Sequence, residues 1–330
     1  MTRLGVVEAI EAHYLTLILD AFHQAGVLRT LAEGSADAPE LAGRLGFDPN
    51  QIEPLLAFVA LRCDLLTRDN GKYQLSGGRG SVMFAEHLLD QYVGGYGPPL
   101  AKLASLLRDA RSGAALVDRR RHADAFAGQS DGARSSEVLQ LVLDFGATNI
   151  LDLGCGGGQL LCDAAAANQD LRGFGIDSNP EAVAAARTHA QQLALDARIE
   201  IACGDALEVL AERTRADAHI QLVIASSVLN AYWSAPGSAA AFIRDLASLL
   251  PGRILIVSDY YSHLARDTQA IEARTLIHDV AQVVSGQGLP PPSFEGWRQV
   301  YDDAEAELLH RFEATGNGVD RFIHVLQLPG

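Results

Sequence analysis

The sequence predicts an α/β protein in which a mainly helical N-terminal module precedes a mostly parallel sheet flanked by helices. Three observations carry this reading. From Ser135 onward, helical and β patterns alternate. The run Asn149-Ile-Leu-Asp152-Leu-Gly154-Cys-Gly156-Gly-Gly158 ends a strand and opens at once into a turn almost free of side chains. Two β-like runs close the chain on either side of Gly316-Asn-Gly318, which predicts an antiparallel hairpin.

Residues 4–25 place Leu4, Val7, Ile10, Tyr14, Leu17, Ile18, Ala21 and Phe22 at helical spacing, so a helix with one buried face is expected. Three short helical units follow. In two of them, Asp37-Ala-Pro39 and Asp48-Pro49, a capping acid stands just ahead of an early proline. Leu65 to Leu75 reads as two short strands joined at Asn70-Gly71. Helices followed by a hairpin predict a winged-helix-like module over residues 1–80. Residues 81–135 read as a helical linker and lid, with helices at 81–91 and 100–110 and a turn carrying Tyr92 and Tyr96 between them. The basic cluster Asp118-Arg-Arg-Arg121-His122 reads as a solvated turn, or as a contact for an acidic acceptor or a carrier-protein phosphate.

Residues 136–330 form the third segment. Helical patterns cover 136–145, 180–195, 239–250 and about 267–284; strand patterns cover 149–153, 198–202, 220–225 and 253–258. The last two β runs are 307–313 and 321–328.

The glycine spacing speaks to the ligand. A dinucleotide fingerprint starting at Gly154 requires glycine at position 159, where this chain has Gln159. The third glycine falls instead at Gly158, with Asp152 in front of the turn. A carboxylate beside a diphosphate is repelled, whereas a ligand with an ammonium, a sulfonium and a neutral ribose is attracted. That favours S-adenosylmethionine over a nicotinamide dinucleotide. A second acid, Asp177, closes the next apolar run nineteen positions after Gly158. A third, in Cys203-Gly-Asp205-Ala206-Leu, follows the next strand.

These motifs resemble those of the class I S-adenosylmethionine-dependent methyltransferases. The N-terminal module is similar to that of the small-molecule O-methyltransferases, where it serves for dimerisation and helps close the acceptor pocket. The resemblance implies a Rossmann-like catalytic domain and a homodimer. It implies that Gly154, Gly156 and Gly158 admit the cofactor's methionine end, steadied by Asp152. Asp177, with Ser178 beside it, takes the ribose hydroxyls, and Asp205, with Ala206, the adenine amine.

The fourth strand runs into Ser226-Ser-Val-Leu-Asn230-Ala-Tyr-Trp233. Many relatives read V-L-H-x-W here, with the histidine as general base on a phenol, and this chain has Asn230 in its place. An amide cannot take a proton near neutral pH. Three explanations stand. His263 or His278 serves as base; or the nucleophile is an amine, carboxylate or acidic enol that needs none; or the enzyme cyclises the cofactor itself, as azetidine-2-carboxylate synthases do, releasing methylthioadenosine. For the last, Ser226 and Asn230 hold the methionine tail, and aromatic walls come from Tyr92, Tyr96, Tyr232, Trp233, Tyr260 and Tyr261. Tyr260 joins Asn230, Ser226, His263 and His278 among the expected catalytic groups. A start of the fourth strand at Gln221, where the family often has Asp, reads as peripheral.

Composition bounds the rest. A net charge of −15 disfavours polyanion binding, and residues 1–80 hold seven Lys/Arg against ten Asp/Glu, which argues against a DNA-reading winged-helix regulator. Cys63, Cys155, Cys162 and Cys203 form no C-x-x-C pair, so neither a zinc site nor a disulfide frame is expected. No apolar run approaches the ~20 residues that span a bilayer. The expectation is a cytoplasmic enzyme of small-molecule biosynthesis, without metal, membrane or nucleic-acid partner.

Overall fold

The computed structural model describes residues 3–77, 79–126, 132–213, 219–264, 273–316 and 319–330. They form two compact units that divide between Gly97 and Pro98.

In the first unit, helices Val6–Gln24, Val27–Ala32, Ala38–Leu45 and Pro49–Arg62 precede an antiparallel hairpin of β1 (Leu66–Asp69) and β2 (Lys72–Leu75). Asp37 accepts from the amide of Glu40 at 2.8 Å while Glu40 accepts from the amide of Asp37 at 2.9 Å, a complete capping box. Asn70 and Gly71 both take positive φ, as a tight hairpin turn requires. Leu28, Leu41, Leu56, Val59 and Tyr73 fill the core. The expected tyrosine-bearing turn after residue 91 is instead a π-helical continuation, Leu89–Gly95, of the helix Arg79–Leu88. His23 ties the first helix to this segment, 3.3 Å from Glu86 and 2.9 Å from Asp90.

One expectation fails here. Of the stripe on the first helix only Phe22 is buried, and Leu4, Val7, Ile10, Tyr14 and Leu17 remain exposed. The periodicity is real, but within the first unit no described residue covers that face.

The second unit carries a seven-stranded sheet of β3 (Asn149–Leu153), β4 (Arg172–Asp177), β5 (Ile199–Cys203), β6 (Leu222–Ser226), β7 (Ile254–Tyr260), β8 (Glu307–Gly316) and β9 (Val319–Gln327). The order is β5-β4-β3-β6-β7-β9-β8; β9 runs antiparallel between β7 and β8, and the strands from β5 to β7 are parallel. The tip expected at Gly316-Asn-Gly318 falls partly, and the start of the helix expected from Asp267 wholly, outside the described residues.

Alternation along the strands builds two cores. Leu151, Leu153, Val223, Ala225, Leu255 and Val257 face one layer, with helices Ala206–Arg213, Ser238–Leu249 and Phe294–Asp303. Ile150, Leu222, Ile224, Ile256 and Ile201 face the other, with Gly132–Asp144, Gln159–Ala167 and Pro180–Gln192. Side chains of period two on strands buried on both faces make this a doubly covered sheet. Gln221 is structural: its side-chain oxygen accepts from the amides of Thr148 (2.7 Å) and Asn149 (3.1 Å), joining the starts of β3 and β6 at the end away from the site. The basic cluster expected as a solvated turn opens the helix Arg119–Phe126, capped by Asp118 through the amide of Arg121, and Arg121 is buried. No described helix is long and apolar enough to cross a membrane.

Candidate functional site

Because β4 and β6 lie on opposite sides of β3, their connecting helices leave on opposite faces and a crevice opens beyond the carboxyl end of β3. The glycine turn fills that position. Gly154, Gly156 and Gly158 all take positive φ (62°, 52° and 72°), which side chains adopt only with strain. A Cβ at Gly158 would stand 3.0 Å from Ala186 Cβ, and one at Gly154 3.0 Å from Val228 Cγ2. Gly158 leads directly into the helix Gln159–Ala167 with no side-chain cap, so its first amides face outward with the positive end of the helix.

Asp152, at the carboxyl end of β3, is 4% exposed. Among the described residues no hydrogen bond engages its carboxyl. Burial, and then the charge of Asp177, push that group up to about 8. A buried acid without a partner is costly, and a ligand cation relieves it. Asp177 is half-buried at the end of β4; its oxygens accept from the amides of Gly156 (2.9 Å) and Asn179 (2.8 Å), with further lone pairs left on each. Ser178 is exposed beside it. Asp205 follows β5, is exposed, and caps the helix that starts at Ala206 through the amides of Leu207 (3.0 Å) and Glu208 (3.1 Å). Its charge, after burial, helps raise the Tyr232 hydroxyl to about 12. An uncharged cradle with a buried acid at its root and two more acids at the neighbouring strand tips fits a cation-bearing adenosyl ligand. It does not fit a diphosphate.

The fourth parallel strand from the edge, β6, ends at the half-buried Ser226. Ser227 then takes φ 56°, an uncommon value for a residue with a side chain, and its amide donates to the Ser258 carbonyl at 2.8 Å. The chain turns into the 3-10 segment Leu229–Tyr232, where Asn230 is 8% exposed and no hydrogen bond among the described residues engages its amide.

The β7 end supplies the remaining expected groups. Tyr260 and His263 are buried, and His278 is half-buried on the helix Ala273–Val284 with its ring 4.7 Å from that of Tyr260 at 75°. What the sequence reading missed is the residue that gathers them. Asp279, fully buried, accepts from the Tyr260 hydroxyl (3.0 Å), the Ser262 hydroxyl (3.2 Å) and the amides of His263 and Leu264 (2.7 Å each). The available signal was an acid amid a run of apolar residues. Two of the proposed aromatic walls lie in the first unit, Tyr92 and Tyr96, stacked at 6.4 Å. Tyr261 points into the core instead, packed on Phe322 with its hydroxyl 3.1 Å from Glu313. Among the described residues no group of His, Cys, Asp and Glu could hold a metal.

Residues 144–306 match the family model described as a methyltransferase domain. Among curated proteins, none matches the sequence. Solved structures of similar fold include the mitomycin 7-O-methyltransferase MmcR (TM-score 0.74, 17% identity, 98% of this chain and 96% of that one). An O-methyltransferase family protein from Burkholderia thailandensis aligns with TM-score 0.70 and 19% identity over 100% and 99% of the two chains. NcsB1, an O-methyltransferase from neocarzinostatin biosynthesis, aligns with TM-score 0.67 and 16% identity over 99% and 100%. At these identities the likeness speaks for the fold, and the fold is that of the class I O-methyltransferases. The matched domain, the strand order and the cradle at β3 agree: residues 144–306 carry a methyltransferase domain, on the fold of the class I O-methyltransferases.

Proposed function

We propose that the chain transfers a methyl group from S-adenosylmethionine to an oxygen or nitrogen nucleophile of a small specialised metabolite. The observation that carries this is the buried Asp152 at the root of the glycine cradle, unpartnered among the described residues, with Asn230 just past the end of β6, the strand paired with β3. The mitomycin 7-O-methyltransferase and NcsB1, the latter solved with S-adenosylmethionine and 2-hydroxy-5-methyl naphthoic acid, point to the same chemistry.

When bound, the cofactor supplies an electrophilic methyl on a sulfonium. Asp152 receives its ammonium, Asp177 with Ser178 its ribose, and Asp205 with Ala206 its adenine amine. Ser226 and Asn230 orient the nucleophile by hydrogen bonds, and Asn230 takes no proton. Where the nucleophile is neutral, His278 receives its proton, being half-buried where His263 is closed off at 3% exposure. Asp279 and Tyr260 hold the histidine-bearing segments in place rather than touching the reacting atoms.

The exposed apolar stripe of the first helix supports a homodimer in which a second copy covers it. Replacing Val7 and Ile10 by glutamate then yields a monomer in light scattering. The four unpaired cysteines fit a reducing compartment, and we place the enzyme in the cytoplasm.

The test is a product assay. Protein and S-adenosylmethionine alone should give no turnover, and adding hydroxylated or amino-substituted aromatic acceptors should give S-adenosylhomocysteine. Methylthioadenosine released without any acceptor would overturn methyl transfer in favour of cyclisation.

A further inference from the structure

The helix Arg119–Phe126 is weak by its own sequence. It has eight residues, short of the ~12–15 at which an isolated helix becomes marginally stable in water. Its first turn carries Arg119, Arg120 and Arg121, at the end where the helix dipole disfavours cations. Local compensation is modest: the Asp118 carboxylate accepts from the Arg121 amide at 3.0 Å, and Arg120 forms an exposed pair with Asp124 at 3.2 Å. The order of this helix therefore comes from packing. Arg121 and Ala125 are buried, and the helix packs against Pro180–Gln192.

One side chain makes the joint between the two helices. Asn179 stands just ahead of Pro180 and is buried. Its Oδ1 accepts from the Glu181 amide at 3.1 Å and so caps the helix Pro180–Gln192. Its Nδ2 donates to the Arg119 carbonyl at 3.1 Å. Its backbone amide donates to Asp177 Oδ1 at 2.8 Å, while Asp177 Oδ2 accepts from the Gly156 amide of the glycine turn at 2.9 Å. Asn179 thus bonds to the ribose acid, to its own helix and to the first residue of the arginine-bearing helix. A serine would cap as well, but it lacks the amide nitrogen that reaches Arg119.

The helix that Asn179 starts also backs the glycine turn. His189 Nδ1 lies 3.4 Å from the Gly157 carbonyl, and a Cβ on Gly158 would meet Ala186. Whatever fixes the start of this helix fixes a wall on which the cradle rests.

We propose that Asn179 is a positioning residue of the cofactor site, coupling Asp177 to the seating of the helix Arg119–Phe126. Ribose hydroxyls bonded to Asp177 hold its carboxylate where the Asn179 amide meets it, and that geometry carries the Asn179 side chain to Arg119. Occupancy of the ribose site then orders the helix, and the seated helix tightens the site by the same factor. This rests on the assignment of Asp177 to the cofactor's ribose, and it gives the basic cluster a place in the enzyme.

The test is hydrogen–deuterium exchange on the full chain, with and without S-adenosylhomocysteine, in wild type and Asn179→Ser. In wild type, saturating ligand should slow exchange at the amides of residues 120–126 by about fivefold, as expected for one neutral hydrogen bond. Asn179→Ser keeps the cap and loses the arm to Arg119. There the slowing should vanish, and calorimetric affinity for S-adenosylhomocysteine should fall by about fivefold. Exchange along β3 and β6 should be the same in the two proteins. Helix exchange that ignores the ligand in wild type, or full slowing retained in Asn179→Ser, would overturn the proposal. So would faster exchange throughout β3 and β6 in the variant, the mark of a residue that serves only the fold. A wild type that binds no S-adenosylhomocysteine in calorimetry would sink the cofactor reading and this inference with it, an outcome distinct from binding that leaves the helix unchanged.

Discussion

Asp152 and Asp177 stand at the carboxyl ends of adjacent parallel strands, and the charge of Asp177 adds to burial in pushing the Asp152 carboxyl up to about 8. In the free protein Asp152 is therefore protonated below that pH, whereas a bound ammonium favours its ionised form. Affinity for S-adenosylmethionine should accordingly tighten with pH, by up to about tenfold per unit between about pH 6 and 7.5. Calorimetry in buffers of different ionisation enthalpy should show a proton released on binding, and the release should vanish in Asp152→Asn.

The same shift has a consequence for stability. A carboxyl raised in the folded state contributes most below its unfolded value near 3.8, and that contribution is lost as pH rises through about 8. Asp152→Asn, which does not titrate, should gain on wild type as pH climbs across this window, by up to a few kcal/mol. Chemical denaturation of the ligand-free proteins at pH 5 and pH 8 measures it, and a variant less stable than wild type at pH 8 would count against a lone buried acid.

Asn230 tests whether this position moves a proton. Removing a general base costs about 10²–10⁴ in rate, whereas removing one orienting hydrogen bond costs about tenfold. Asn230→Ala should fall in the second class, with the shape of its pH–rate profile unchanged. A loss of a thousandfold would place it in the chemistry.

Asp279 should matter chiefly to the fold. Its carboxylate accepts from two hydroxyls and two amides, all at the β7 end. Asp279→Ala orphans those donors and should cost at least about 3 kcal/mol. Urea denaturation reads the loss, and a change under 1 kcal/mol would show the network to be dispensable.

Much of this was legible in the chain. The alternation of Leu151 with Ile150 and of Val223 with Ile224 set two buried faces, and the glycines of the turn announced a backbone that side chains would strain. The acids at strand ends could be picked out because their spacing follows the length of a strand–helix repeat. Three features were not legible. The stripe on the first helix carried the right period, but period does not say whether the covering surface belongs to the same chain. Asp118 to Arg121 looked like a solvated turn because charge density says nothing of capping, which buries Arg121 in a helix. The helix Ala273–Val284 hid its role because its polar face points inward; an amphipathic pattern fixes two faces without saying which is buried, and Asp279 and Gln282 lay on the unexpected one.

Titration of the wild-type protein with S-adenosylmethionine and, separately, with NAD in an isothermal calorimeter at pH 7.5 is the most direct measurement. A cradle built around a buried acid should bind the adenosyl sulfonium far more tightly than the dinucleotide, and Asp152→Asn should weaken the former by about 2 kcal/mol or more, roughly thirtyfold. NAD binding more tightly, or an Asp152→Asn protein that binds S-adenosylmethionine as well as wild type, would contradict the assignment of this cleft.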